Sequence, residues 1–327
     1  MKTDSGKFLR VLIILFLVSF SLAAYCTVTA QTVNLSRQQR ADNLELTAQK
    51  AVLQWNRSAI QNAVTAFSEA AEIWIKLDRK DKAANCLREA GKWSRILGLS
   101  ENAARFFNKA ISLLANTDLL DEQAKNYSEL SALELFSGRV EDSKKHFEKA
   151  LFLAEQSKSR SARASASFAA AEYFYTRSQL TEAQNSYKTA IQLWNEDKDV
   201  PQEANALLYL AYLYLKQNEY SAGLETLGSA LAKFQEIGDV RGQALTYKAI
   251  GRFHNEISEK QKALESFKEA EKLFAADLDY AEKASQATDL ETLHNYTWEI
   301  SKASSKVMRQ IEATQRYSSL LKDTKTN

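Results

Sequence analysis

The chain has 327 residues, of which 45% are hydrophobic and 26% charged, and this apolar content excludes a disordered polypeptide. It contains one proline and nine glycines, too few for the turns of an all-β or Rossmann-type fold, so helices are predicted throughout. Its 43 basic and 41 acidic residues nearly balance. This balance argues against nucleic acid or an anionic membrane as the partner, because both require a large basic surface.

Residues 1–30 have the layout of a secretory signal peptide. Three basic residues precede an uncharged run over residues 11–24, and Val28-Thr29-Ala30 supplies small or modest side chains before a cleavage point. We expect cleavage after Ala30, an exported protein of the periplasm or the extracellular space, and a short linker over residues 31–40. Cleavage removes three basic residues and one acidic residue, which leaves 40 of each and a formally neutral chain.

Two alternatives remain for this leader. An uncleaved N-terminal membrane anchor is one, although the apolar run is short for a spanning helix. Lipidation of Cys26 is the other, although Tyr25 stands where lipoprotein signals carry a small residue. After cleavage Cys86 is the sole cysteine, so no intramolecular disulfide is expected.

Residues 41–280 divide into six blocks of forty residues that align without a gap. Three columns of this alignment are almost uniform. The 23rd residues are Ala63, Ala103, Ser143, Ala183, Gly223 and Ala263, the 27th are Phe67, Phe107, Phe147, Tyr187, Leu227 and Phe267, and the 30th are Ala70, Ala110, Ala150, Ala190, Ala230 and Ala270. Spacings of four and three residues place these columns on one face of a helix.

The first half of each block has its own apolar stripe, as in Ala90-Gly91 followed by Trp93, and Ile250-Gly251 followed by Phe253. Small residues allow two helices to approach closely. Each block is therefore predicted to form two antiparallel amphipathic helices.

These residues resemble the tetratricopeptide repeat, most clearly in the fifth block with Leu207, Leu210-Ala211, Tyr214, Gly223 and Ala230. The closing proline of that repeat is absent and six extra residues lengthen the unit. The longer form looks like that of eukaryotic adaptor proteins, soluble NSF attachment proteins and bacterial repeat arrays fused to caspase-like domains. The resemblance implies an all-α fold, a right-handed α-solenoid of six helix-turn-helix repeats.

Residues 281–327 depart from the repeat. Leu290, Leu293, Ile300, Val307 and Ile311 still form one apolar stripe. We therefore predict a degenerate seventh repeat or capping helices at this end of the solenoid.

The chemistry of an enzyme is sparse in this sequence. No phosphate-binding glycine loop, His-Glu-x-x-His run or cysteine pair occurs, so no cofactor and no metal is predicted. Cys86 and His254 lie four blocks apart in a solenoid, beyond hydrogen-bond reach of each other. The chain is therefore predicted not to be an enzyme.

The resemblance implies that the first helix of every pair lines a concave groove. The columns that would face the groove begin with a basic cluster, continue through an apolar and aromatic middle, and end with further basic residues. The predicted partner-binding residues are Asn85, Arg88, Lys92, Arg95, Lys125, Phe136, Phe168, Tyr175, Tyr212, Lys248 and Arg252. Alternatively, some of these aromatic side chains pack between helices and the charges are merely solvated.

The functional prediction is an exported scaffold or adaptor that binds a protein or peptide, one bearing acidic residues, in this groove. Membrane contact is expected only through an uncleaved leader or a lipid anchor. One alternative is the repeat subunit of a caspase-like protease system with catalysis on another chain. The other is an envelope lipoprotein of an outer-membrane assembly machine.

Overall fold

The computed structural model describes the backbone of residues 36–53 and 57–285, and their side chains as far as residue 274. Twelve helices and no strand occupy these ranges. The predicted leader and the predicted cap over residues 286–327 lie outside the described residues.

Helix α1 spans residues 36–53. The others are α2 (Arg57–Lys76), α3 (Lys80–Ile96), α4 (Ser100–Leu114), α5 (Leu120–Phe136), α6 (Val140–Ser157), α7 (Arg160–Thr176), α8 (Leu180–Asp197), α9 (Val200–Gln217), α10 (Tyr220–Glu236), α11 (Val240–Glu256) and α12 (Lys260–Ser285). Helix α1 begins inside the segment predicted as a linker, and α12 continues beyond the predicted end of the sixth block.

The helices are joined by short turns that repeat every twenty residues. A residue with left-handed backbone follows nearly every helix: Asp78, Gly98, Gly138, Lys158, Ser178, Lys198, Asn218, Gly238 and Ser258. A residue in this conformation ends a helix because it turns the chain away from the helix axis and satisfies the last carbonyl groups. The forty-residue repeat is thus two helix-turn units of equal length.

Consecutive helices pack as six antiparallel pairs, as the sequence predicts. The residues of all three repeated columns are buried in every pair, and the 30th-column alanines have no exposed surface. Small side chains meet at the crossings: in the α5–α6 pair the Oγ atoms of Ser131 and Ser143 are 2.8 Å apart. The α1–α2 pair is joined by the indole of Trp74, which donates a hydrogen bond to Glu45 at 2.5 Å.

The pairs stack so that their first helices lie side by side. Helix α5 contacts both α3 and α7, and α11 contacts α9. Because each pair covers an apolar face of the next, the core is a continuous row of side-chain clusters along the stack. Helices α3, α5, α7, α9 and α11 form one layer. One side of this layer packs on the second helices, and we call the opposite side the first-helix face.

Candidate functional site

All eleven residues predicted to bind a partner lie on the helices of this layer. Asn85, Arg88, Lys92 and Arg95 are on α3, Lys125 and Phe136 on α5, Phe168 and Tyr175 on α7, Tyr212 on α9, and Lys248 and Arg252 on α11. The structure brings them into one layer but gives them three different environments. We describe these in turn from α3 to α11.

The predicted basic cluster is an ion-pair network between α3 and α5. Arg88 pairs with Glu122 and donates a second hydrogen bond to Asn85 Oδ1 at 2.6 Å. Lys125 Nζ is 2.9 Å from Glu122 Oε1, so this carboxylate receives two cations. Burial alone would raise the pKa of Glu122, but Arg88 and Lys125 outweigh it and lower the pKa.

The remaining cations of the cluster are also paired. Lys92 Nζ lies 3.0 Å from Glu89 Oε1, and Arg95 Nη2 lies 3.4 Å from Glu129 Oε2. The predicted basic cluster is therefore not a group of free cations, because carboxylates of α3 and α5 neutralise it.

Sequence reasoning missed these carboxylates although they carry a signal. Glu122 follows Arg88 by 34 residues, and Glu129 follows Arg95 by the same 34 residues. Opposite charges at a constant separation on consecutive first helices predict pairing across the repeat interface. The network thus holds α3 against α5.

Phe168 belongs to the interior between helices. Its ring centroid lies 5.5 Å from that of Tyr187, 5.6 Å from Trp194 and 5.3 Å from Tyr209. These rings come from α8 and α9, so Phe168 packs where its helix pair meets the next one. Phe168, predicted to line the groove, is therefore only partly exposed, with its ring in contact with neighbouring helices.

Tyr175 and Tyr212 carry cations on their rings. The ammonium of Lys216 lies 4.6 Å from the ring centroid of Tyr175, and the guanidinium of Arg252 lies 5.7 Å from that of Tyr212. Lys216 also donates hydrogen bonds to Tyr175 O at 3.3 Å and to Ser178 Oγ at 3.1 Å. Each contact joins neighbouring first helices, α9 to α7 and α11 to α9.

Large apolar side chains are exposed at the carboxyl ends of α3 and α5. Phe136 at the end of α5 is 65% exposed, and Ile96 at the end of α3 is 43% exposed. Forty residues separate them, so they occupy the same position in consecutive repeats. On α11, Arg252 is exposed and Lys248 is partly buried.

Glu172 is a second residue that sequence reasoning missed. It lies on α7, four residues after Phe168 and three before Tyr175, and therefore on the same side of the helix. Burial raises the pKa of its carboxyl to about 7, the charge of Arg95 opposes this, and the charge of Glu129 adds to it. A carboxyl of this kind changes charge near neutral pH.

Groups associated with catalysis are separated or buried. Cys86 lies in the core of α3, where burial raises the pKa of its thiol. His254 lies on α11 with its Nδ1 2.7 Å from Glu259 Oε2. Within the described ranges, no group of histidine, cysteine and acidic residues could hold a metal ion, and no helix has the length and apolarity needed to cross a membrane.

Six helix pairs whose first helices share one face define a tetratricopeptide-like α-solenoid, a class of repeat scaffold. Solved structures share this fold. BtubC from P. vanneervenii aligns with a TM-score of 0.55 and 18% identity over 67% of this chain and 92% of its own. Aspartyl phosphate phosphatase F from Bacillus subtilis gives 0.56 and 16% over 86% and 73%. A Rap protein complexed with competence and sporulation factor gives 0.54 and 14% over 79% and 74%.

Among these scaffolds a particular family is matched by sequence. The model of the soluble NSF attachment protein family, SNAP, matches residues 35–198, half of the chain. The chain belongs to this family. No curated protein matches the sequence.

Proposed function

We propose that the protein is a non-catalytic scaffold that holds a segment of a partner polypeptide on the first-helix face, centred on α7, α9 and α11. The observation that carries this proposal is the pair of stacked contacts, Lys216 on Tyr175 and Arg252 on Tyr212. Tyrosine offers a large flat surface at low entropic cost, and such residues dominate binding hot spots. No carboxylate in the described part of the chain pairs with Lys216 or Arg252.

The charge expected of the partner depends on which basic residues of the first-helix face have no carboxylate of this chain beside them. On α3 and α5 the basic residues are paired with Glu89, Glu122 and Glu129. On α9 and α11, Lys216 and Arg252 rest on rings instead, and an acidic group of a partner gains an ion pair with each of them. We therefore assign the recognition of acidic residues to this second half of the face.

The positions of the reactive side chains support the proposed absence of turnover. Cys86 is in the core, and the pKa of its thiol is raised, which disfavours the nucleophilic thiolate. His254 is on a different helix and is bonded to Glu259. Neither side chain has the partner that a nucleophile and base pair requires.

A binding experiment tests the proposed face. A pull-down from native envelope extract with mass spectrometry identifies the partner, and surface binding kinetics at low and high salt then compare variants. Arg252→Gln is expected to slow association and reduce its salt dependence, because charge governs the encounter rate. Tyr212→Ala is expected to speed dissociation, at a cost of roughly 1 to 3 kcal/mol.

The matched control is Phe152→Ala on α6. This ring is 52% exposed and lies on a second helix, away from the first-helix face. Its removal is expected to leave both rates unchanged. If Tyr212→Ala and Arg252→Gln behave like this control while circular dichroism stays the same, the partner binds elsewhere and the proposal fails.

Export is the second part of the proposal, supported by the basic start, the apolar run and the Val28-Thr29-Ala30 sequence. The mature protein is expected to begin at Gln31. Intact-mass measurement of the protein from its native cell tests this, since a chain that begins at Gln31 has lost residues 1–30, whereas a lipoprotein keeps Cys26 and carries the added mass of a lipid. Recovery of the full chain from the cytosol with its first residues intact would contradict export.

A further inference from the structure

Glu172 differs from the other carboxylates of the first-helix face. Glu122 and Glu129 each pair with an arginine of α3. In the described ranges no lysine or arginine forms an ion pair with Glu172. The charge of Arg95 acts on Glu172, but the guanidinium of Arg95 is bonded to Glu129. A partly buried carboxylate without its own cation is costly when ionised, so an added cation would stabilise it.

Aromatic residues lie beside Glu172 along its own helix and on the helices packed against it. Phe168 and Tyr175 flank it on α7, and Tyr209 of α9 meets the ring of Phe168 edge-on and is itself 42% exposed. Tyr187 of α8 lies 6.4 Å from Tyr209, centroid to centroid. Burial raises the pKa of Tyr187, and the charges of Glu172, Tyr209 and Tyr175 add to this. We call these residues the Glu172 cluster: the partly exposed Phe168, Glu172 and Tyr175, the exposed Tyr209, and Tyr187, which is buried behind them.

A carboxylate set among aromatic rings matches the chemistry of an alkylammonium ion. The negative faces of the rings attract the cation, and the carboxylate supplies the opposite charge. The four-carbon stem of lysine is apolar and packs against ring surfaces, while its ammonium donates up to three hydrogen bonds. The protein already makes a contact of this type at the edge of the cluster, where the Lys216 ammonium lies 4.6 Å from the Tyr175 ring centroid.

We propose that the Glu172 cluster binds a lysine side chain of the partner polypeptide. This inference rests on the proposed function, since it names the chemistry recognised at one position of the first-helix face. The partner segment then carries a lysine opposite α7 and acidic residues opposite α9 and α11. Such a charge order fixes the direction and register in which the segment lies along the face.

The lysine site should respond to pH. The charges of Arg95 of α3 and Glu129 of α5 act on Glu172, and Glu172 in turn acts, with Tyr175 of its own helix and Tyr209 of α9, on Tyr187 of α8. The pKa of Glu172 is about 7, so its carboxyl is largely ionised at pH 8 and largely neutral at pH 6. Lysine remains protonated at both values. Binding is therefore expected to weaken as the pH falls from 8 to 6.

The test uses the full chain with ring-labelled tyrosine and nuclear magnetic resonance, and Nα-acetyl-lysine methylamide as the probe. The norleucine analogue, which has the same apolar stem without the ammonium, is the matched control ligand. Tyr187→Phe and Tyr209→Phe assign the resonances. The lysine probe is expected to shift both signals saturably at pH 8 and to bind about ten-fold more tightly than norleucine, a difference of about 1.4 kcal/mol.

Variants separate the cluster from the rest of the surface. Glu172→Gln, which keeps the side-chain shape, is expected to abolish the preference for lysine and its pH dependence. Glu182→Gln, which removes an exposed carboxylate of α8, is expected to change neither. Equal binding of the lysine and norleucine probes by the unmodified protein would overturn the proposal.

Two further outcomes would also overturn it. Tighter binding of spermidine than of the lysine probe would identify a small polyamine as the ligand instead of a polypeptide. A shift confined to the Tyr212 signal would place the cation outside the cluster. In that case the proposed function is still supported if Tyr212→Ala weakens binding of the partner. The two proposals can therefore fail separately.

Discussion

Gly91 of α3 lies directly against the ring of Phe107 on α4. A Cβ atom placed on Gly91 would come within 2.4 Å of Phe107 Cε1, a distance that non-bonded carbon atoms do not adopt. The sixth pair repeats the arrangement with Gly251 and Phe267, where the distance would be 2.7 Å. The 27th-column aromatic residue therefore fills the space that a missing side chain leaves on the first helix.

Gly91→Ala is expected to destabilise the protein by about 1 to 3 kcal/mol, because Phe107 has no exposed surface and its ring must move within a packed core. Urea unfolding followed by circular dichroism measures this. Gly228→Ala is the matched control, since nothing lies within 4 Å of the added Cβ on α10. It should stabilise by about 0.5 to 1 kcal/mol through helix propensity. Equal effects of the two substitutions would contradict the close packing.

Arg88 and Glu122 should be strongly coupled. Their side chains are 12% and 15% exposed, so removing one partner leaves a charge that water solvates poorly. Arg88→Gln or Glu122→Gln is expected to cost about 2 to 4 kcal/mol, whereas the double variant should cost less than the sum, with a coupling of about 1 to 3 kcal/mol. A double-mutant cycle in urea measures this coupling.

The control cycle uses the ion pair between Arg79 and Asp81, whose side chains are 47% and 43% exposed. Water screens this pair, so its coupling should be much smaller. Additive effects at Arg88 and Glu122 would show that the ion-pair network does not join α3 to α5.

The sequence was sufficient to predict the helix pairs because their determinants are local. Small residues at columns 23 and 30 with a large apolar residue at column 27 mark one face of a helix as buried, and each of these residues is buried in the structure. Helix ends were also accessible in principle, since Gly98, Gly138 and Gly238 recur at turn positions. These features depend on spacing along one helix and need no knowledge of the stack.

The candidate site could be predicted only in part because it depends on how consecutive pairs rotate against each other. Arg88 and Phe168 are both eighth in their forty-residue blocks and were both predicted to face the groove, but they turn toward the next first helix, where Arg88 meets Glu122 and Phe168 meets Tyr209. Tyr175 and Tyr212, at columns fifteen and twelve, also contact the next first helix, through Lys216 and Arg252. Sequence spacing fixes the angle between these columns but not the angle between neighbouring repeats.

Lys198 ends α8 with φ of 57°, a left-handed conformation that costs a residue with a Cβ about 1 to 2 kcal/mol. Lys198→Gly removes this cost but makes the unfolded chain more flexible, so a net stabilisation of about 0.5 to 1 kcal/mol is expected. Thermal unfolding by calorimetry measures it. Lys188→Gly, in the middle of α8, should destabilise by about 1 kcal/mol instead. Destabilisation by both would contradict the left-handed turn.

The pH dependence of stability should identify Glu172. Its pKa is about 7 in the folded protein and close to 4.5 when the chain is unfolded. Between these values the folded state holds a proton that the unfolded state has released. The free energy of unfolding should therefore fall as the pH rises from about 4.5 to 7, and the loss is complete above this range. Glu122 acts in the opposite sense, since its lowered pKa contributes stability that disappears only in acid.

Glu172→Gln cannot ionise, so it should match the parent near pH 4 and exceed its stability at pH 8 by roughly 1 to 3 kcal/mol. Urea unfolding at pH 4.5, 6 and 8 measures the difference in the free energy of unfolding between the two proteins. All other titrating groups are common to both, so their contributions cancel in this difference. Glu182→Gln serves as the control and should show a difference that is independent of pH. The lysine probe should reduce the gap at pH 8, because it binds the ionised carboxylate of the folded state alone. A constant difference in stability between Glu172→Gln and the parent from pH 4.5 to 8 would mean that this carboxyl is solvated like an ordinary surface group. The aromatic rings of the cluster would then be the main attraction for a cation, and the carboxylate would add little.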